Sequence, residues 1–225
     1  MSTASTLSLR TRSALERSIG PERLRGYAEA CGGDERLGLD LYFWNGRISA
    51  AAFEDIGFLE IALRNACHEQ LSRWHADQGH ASPWYFSTHV LPRHMQDVGI
   101  ARGRVAQGKK PETEGRVVAQ LTFGFWRLLH SKRYEATIWQ WALRHAYPRG
   151  TSRTLIHARL DHINALRNRV AHHEPVHGLA VGDAALGLEA VHGELLETAN
   201  LISGEFGAWL ASVSRVRSLL AQRPG

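Results

Sequence analysis

The chain has 225 residues, 44% apolar and 22% charged, which is enough to bury one ordinary core and too apolar for a disordered segment. Its formal charge is +5 and the cations are nearly all arginine, the only lysines being Lys109, Lys110 and Lys132, so planar donors suited to phosphate dominate. Two isolated cysteines, Cys31 and Cys67, exclude a disulfide framework; no apolar run approaches the roughly 18 residues of a membrane span, and residues 1–18 lack a secretory apolar core, so a cytoplasmic protein without membrane contact is expected.

Apolar residues recur at helical spacing throughout, and no alternating run bounded by turns asks for a strand. The expected fold class is all-α, in one domain over 1–225. Leu7, Leu9, Leu15 and Ile19 suggest a short, loosely docked first helix within 1–20. Pro21 opens a second helix (22–30) that Gly32 and Gly33 close. A third runs from Asp34 to about Trp44, where Asn45-Gly46 predicts a turn or kink; Ser49 then caps a long helix through Phe53, Leu59, Leu63 and Leu71 that ends near Gly79. After the aromatic connection Pro83-Trp84-Tyr85-Phe86, a helix is expected over about 89–107. Residues 108–115, GKKPETEG, form an internal surface loop, whose Lys109-Lys110 pair reads as solvated charge. Further helices are expected near 116–130, 132–146, 152–173, 183–201 and 205–221. Trp44, Trp126, Trp139 and Trp141 fall at core spacing in them.

The most informative residues are 167–175, RNRVAHHEP. Thr151 or Ser152 caps the helix that carries them, and Leu155, Arg159, Ile163, Leu166 and Val170 mark its period; Pro175 stops it at about His173. Arg167 is a permanent cation and His172 titrates near neutrality, which together suit phosphodiester chemistry. Five residues apart, they differ by about 7.5 Å of rise and about 140° of rotation; the backward lean of helical side chains still lets both reach one anion. Asn168 can hydrogen-bond a phosphate oxygen or orient the imidazole, and adjacent His173 is an alternative to His172. A second cluster, Glu60, Arg64, Asn65 and His68, lies on the long helix, where Glu60 and Arg64 at spacing four read as a structural ion pair and His68 as non-catalytic. His173-Glu174-Pro175-Val176-His177 matches a zinc-protease string, but Pro175 breaks the helix that string requires, so no metal is expected.

Three segments, 41–66, 121–129 and 158–176, resemble in content and order the Abi-like (abortive infection) proteins of the HEPN superfamily, over about two thirds of the chain. The resemblance implies an all-α helical bundle with an R-x4-6-H motif met by Arg167 and His172, the polar residue after the arginine being Asn168. It also places Glu60, Arg64 and Asn65 in a recurrent position of less settled role. The implied activity is a metal-independent endoribonuclease of phage defence or toxin-antitoxin systems, needing no cofactor. RNA cleavage requires a base, an acid and a cation, so two facing motifs in a homodimer would supply them, giving a 2′,3′-cyclic phosphate and a 5′-OH. The expected partners are RNA, a second copy of the chain, and an antitoxin protein or RNA. A HEPN module that binds RNA or nucleotide without cutting it, and a helical protein-interaction module, remain the alternatives.

Overall fold

The structure is a computed structural model describing residues 7–109 and 111–225; the expectations for Lys110 and for the packing of Leu9 lie outside what it describes. It is 72% helical, with ten α-helices and no strand among the described residues. They are α1 (Leu9–Ile19), α2 (Pro21–Glu29), α3 (Glu35–Asp77), α4 (Pro92–Gln107), α5 (Glu114–Val118), α6 (Phe123–Leu129), α7 (Arg153–Ala171), α8 (Leu188–Ile202), α9 (Gly204–Val213) and α10 (Val216–Leu220). The all-α reading holds. No described helix is long and apolar enough to cross a membrane.

The main correction is α3. Its 43 residues run without interruption through Asn45-Gly46, so there is no kink there and Ser49 caps nothing. Asp34 starts the helix, its carboxylate accepting from the Arg36 and Leu37 N–H groups at 2.8 and 2.9 Å. Leu41, Ile48, Ala52, Ile56, Leu59, Leu63, Cys67 and Leu71 then present one continuous buried stripe. Asn45 is itself buried, because its side chain binds another part of the chain. Against this stripe pack α2, α6, α7, α8 and α10. A close approach occurs at Gly38, where a methyl group would sit 2.7 Å from the Ala28 backbone, so α2 and α3 touch main chain to main chain.

Other boundaries shift for local reasons. Pro92 sits at the first turn of α4, three residues later than expected, and the Leu91 N–H just before it donates to the Tyr134 hydroxyl at 3.0 Å. The helix expected over 116–130 is two, α5 and α6, separated at 119–122. Residues 132–146 form no regular helix: a tight turn at Lys132–Tyr134, a wide turn at Glu135–Trp139 and another tight turn at Leu143–Ala146 follow one another, with Thr137 and Ala142 off helical dihedrals. Trp44, Trp126 and Trp139 are buried as their spacing predicts, but this irregular stretch leaves Trp141 40% exposed. On α7 the buried apolar set is Ile156, Leu160, Ile163 and Leu166, with Leu155 exposed. The segment before α8 is a turn with one isolated bridge, Val181 to Leu186, and the last expected helix breaks at Ser214 into α9 and α10.

That break is held from within. His192 Nε2 lies 2.9 Å from Asp55 Oδ2, and the Ser214 hydroxyl donates to the same oxygen at 2.6 Å, tying α8 and the α9–α10 junction to α3. Aspartate and serine both meet the same ring nitrogen, with Ser214 Oγ 3.1 Å from Nε2. A nucleophilic triad would need them on opposite nitrogens, so this buried trio is a structural tie. Replacing Asp55 with alanine strands the buried partners and should cost about 3–5 kcal/mol in urea unfolding, whereas an exposed substitution such as Glu69→Ala on the same helix should move it little.

A second buried group makes the fold acid-sensitive. His130 donates from Nδ1 to the Trp126 carbonyl at 2.8 Å, which leaves Nε2 to accept from the Tyr147 hydroxyl at 2.8 Å. Burial pushes its pKa down from 6.5 to about 4. An unfolded histidine therefore binds a proton that the folded one refuses, so this stabilisation is complete above pH 6.5 and is lost as pH falls toward 4. His68, His94 and His157 are shifted in the same direction by burial. Unfolding midpoints should drop between pH 6.5 and 4, with about 3 kcal/mol traceable to His130, and His130→Gln should flatten that slope while lowering stability at neutral pH.

Candidate functional site

The RNRVAHHEP segment ends α7 in a defined way. The Glu174 N–H donates to the Arg169 carbonyl at 2.8 Å and the His173 N–H to the Val170 carbonyl at 3.1 Å. With His173 at φ 57°, this is the paired-bond helix stop normally built on glycine, and Pro175 prevents the chain from resuming the helix. The exit is then fastened. Arg23 of α2 donates to the His173 carbonyl, Arg169 Nη1 to the Pro175 carbonyl at 2.9 Å, and the buried Val176 N–H to Asn45 Oδ1 of α3 at 2.7 Å. His173 and His177 thus lie beyond the helix on separate supports, His177 packing its ring 5.2 Å from Tyr27. Among the described residues no three histidine, cysteine or acidic side chains converge on a metal position.

Fastening α7 to α3 brings the two sequence clusters together. Glu60 of α3 is half-buried, and burial raises its pKa, opposed first by the charge of Arg167, then by the Phe123 N–H that donates to it, then by Arg64. The glutamate therefore sits at the start of α6 with one arginine from each cluster around it. Arg64 Nε also donates to Asn65 Oδ1 at 3.3 Å. Glu60 and Arg64 make no ion pair within 4 Å; their coupling is the weaker one, and Arg167 is the cation that Glu60 feels most. No hydrogen bond or contact ion pair occupies the Arg167 guanidinium among the described residues, so its donor fork is available to an anion.

The histidines divide. His172 closes α7 as its C-terminal cap and its ring is exposed, without a hydrogen-bond partner among the described residues. His173 is also exposed, but it lines a groove of about 1110 Å³ with Arg23, Tyr42, Phe53 and Val170 between α2, α3 and the end of α7. Asn168 is exposed one position past Arg167. His68, by contrast, is committed to structure: Nδ1 accepts from the Trp84 indole at 3.0 Å, and burial lowers its pKa.

One feature carried no sequence signal. Where α3 ends, a cleft of about 550 Å³ gathers Trp74, His75, His80, His89, Trp141 and Arg144 from three separate segments. Only the exposure of Trp141 reveals it, and that follows from the irregular backbone of 132–146. Arg167, with Glu60 and Arg64 around it and His172 free at the helix end, remains the arrangement best suited to a phosphate. No family model, no curated protein and no solved structure matches this chain.

Proposed function

We propose that the chain is a metal-independent endoribonuclease of the HEPN type, an Abi-like protein acting in phage defence or as a toxin, with a site completed across a homodimer. The observation that carries this reading is that Arg167 and Arg64 both bear electrostatically on Glu60 of α3, beside a helix end whose His172 ring is unengaged. Glu60 feels the charge of both arginines without a contact ion pair to either, which leaves the Arg167 donor fork available to a phosphate.

In this reading one His172 takes the proton of the ribose 2′-OH as the 2′-oxygen forms a bond to phosphorus, and the P–O5′ bond breaks. The partner's His172 gives a proton to the departing 5′-oxygen, so protons and charge balance and a 2′,3′-cyclic phosphate and 5′-OH result. Arg167, with Arg64 in support, stabilises the charge building on the non-bridging oxygens. Each chain offers one such arginine–histidine set, so base and acid at once call for two copies, related by a two-fold axis. Phe53 and Ile61, two turns apart on α3, are exposed apolar side chains that a second copy could cover. A nuclease of this kind acting on host RNA would be restrained by an antitoxin protein or RNA.

Incubation with single-stranded RNA in EDTA tests the chemistry. Wild type should cut and leave cyclic-phosphate ends, with rates lowered about 100-fold or more in Arg167→Ala and in His172→Ala. Unchanged cutting by both variants, or no cutting of any RNA by a folded wild-type protein, would reject the proposal. Glu60→Gln should slow the reaction less than either.

A further inference from the structure

We propose that the cleft at the C-terminal end of α3 is a nucleotide-binding site, in which a base stacks on Trp141 and a phosphate is held by Arg144. Trp74 and Trp141 lie nearly parallel, with ring centroids 5.8 Å apart and planes 20° from each other. His89 meets the edge of both, at 5.9 Å from Trp74 and 4.8 Å from Trp141. The result is a rigid aromatic wall whose outermost ring, Trp141, is 40% exposed, and bases stack on such a ring whatever their identity.

The remaining lining suits the rest of a nucleotide. Arg144 supplies a positive charge and His75, His80, His89 and His145 supply ring nitrogens, burial lowering the pKa of His75 so that it favours the neutral ring, and among the described residues no aspartate or glutamate lines the cleft. Arg144 gives Nη1 to Gln140 at 3.1 Å and Nε to the His145 ring at 3.4 Å, which fixes the guanidinium while Nη2 stays uncommitted. His75 is only 4% exposed, and its Nδ1 has no hydrogen-bond partner, while Nε2 lies 3.4 Å from the Ser82 hydroxyl. The Nδ1 atom is shut away from the surface, so the His75 ring only closes the base of the cleft, and the contacts to a ligand fall to Trp141 and Arg144. His80 stacks on His75 at 4.5 Å and completes the floor. The volume, about 550 Å³, lies in the range of small-ligand sites.

The position relates the cleft to the proposed nuclease site. His75 follows Arg64 by eleven residues, three turns of one unbroken helix, so the two lie about 16 Å apart along the axis and within about 20° of the same side. A short single strand spans that distance. That the nucleotide belongs to the strand being cut rests on the ribonuclease proposal; that the cleft takes a nucleotide does not.

Calorimetric titration of the full chain with adenosine 5′-monophosphate and with an uncleavable 2′-O-methyl hexaadenylate tests the inference. Binding of at least one probe should weaken about tenfold or more in Trp141→Leu, the size expected for one stacked base, and several-fold in Arg144→Gln, with Trp141→Phe retaining most of it at an unchanged melting temperature. Saturation by the mononucleotide marks a free nucleotide as the natural ligand, and binding of the hexamer alone marks a strand. Failure of wild type to bind either probe, or equal binding by wild type and Trp141→Leu, would overturn the site. The second result alongside RNA cleavage would leave the nuclease standing, whereas Trp141-dependent binding with no cleavage would keep the cleft and remove the nuclease.

Discussion

The constraint on which the rest depends is that α3 stays helical through Asn45-Gly46. A glycine in a helix interior costs about 1 kcal/mol relative to alanine, and asparagine is a weak helix former, so local preference favours a break. What opposes it is tertiary. Helical geometry turns the Asn45 side chain inward, where its Oδ1 accepts from the Val176 N–H at 2.7 Å, a buried donor that would otherwise be left unpaired at a cost of about 1–3 kcal/mol. The apolar stripe above and below it, Leu41, Ile48 and Ala52, gains further from an unbroken register. One hydrogen bond thus joins the longest helix to the chain leaving α7.

From that junction the functional geometry follows. Because Val176 is tied to α3 and the His173 carbonyl to α2, the last turns of α7 cannot drift, and Arg167 is kept near Glu60, Arg64 and the start of α6. The helix stop at His173 to Pro175 contributes twice. It ends the helix just after His172, leaving that ring exposed, and it supplies the backbone that Arg23, Arg169 and Asn45 fasten. The same helix, about 65 Å long, carries the aromatic cleft at its C-terminal end, so a single rigid rod sets the spacing between the two sites proposed to hold phosphate.

Much of this was legible in the residues and some was not, for identifiable reasons. Helix starts and stops read from the residues agree with the structure at Pro21, at the start near Asp34, and at the stop before Pro175. Asn45-Gly46 misleads because turn statistics describe local preference, and here a hydrogen bond from 131 positions away outweighs it. Residues 132–146 contain neither glycine nor proline to announce their irregular turns, so their helical spacing suggests a core role for Trp141 that the backbone does not deliver. The Glu60–Arg64 pairing was the natural reading of spacing four; that Glu60 responds more to Arg167, over a hundred positions on, is a tertiary fact that no local pattern carries.

The central claim is that one chain supplies half of a reacting site. The most direct measurement is RNA cleavage at a fixed wild-type concentration while His172→Ala protein is added and subunits are allowed to exchange. If the site needs a histidine from each copy, an equal amount of variant leaves about half of the wild-type chains in competent dimers, and the rate falls to about half and continues downward with more variant. A rate that does not change as mixed dimers form would contradict the composite site.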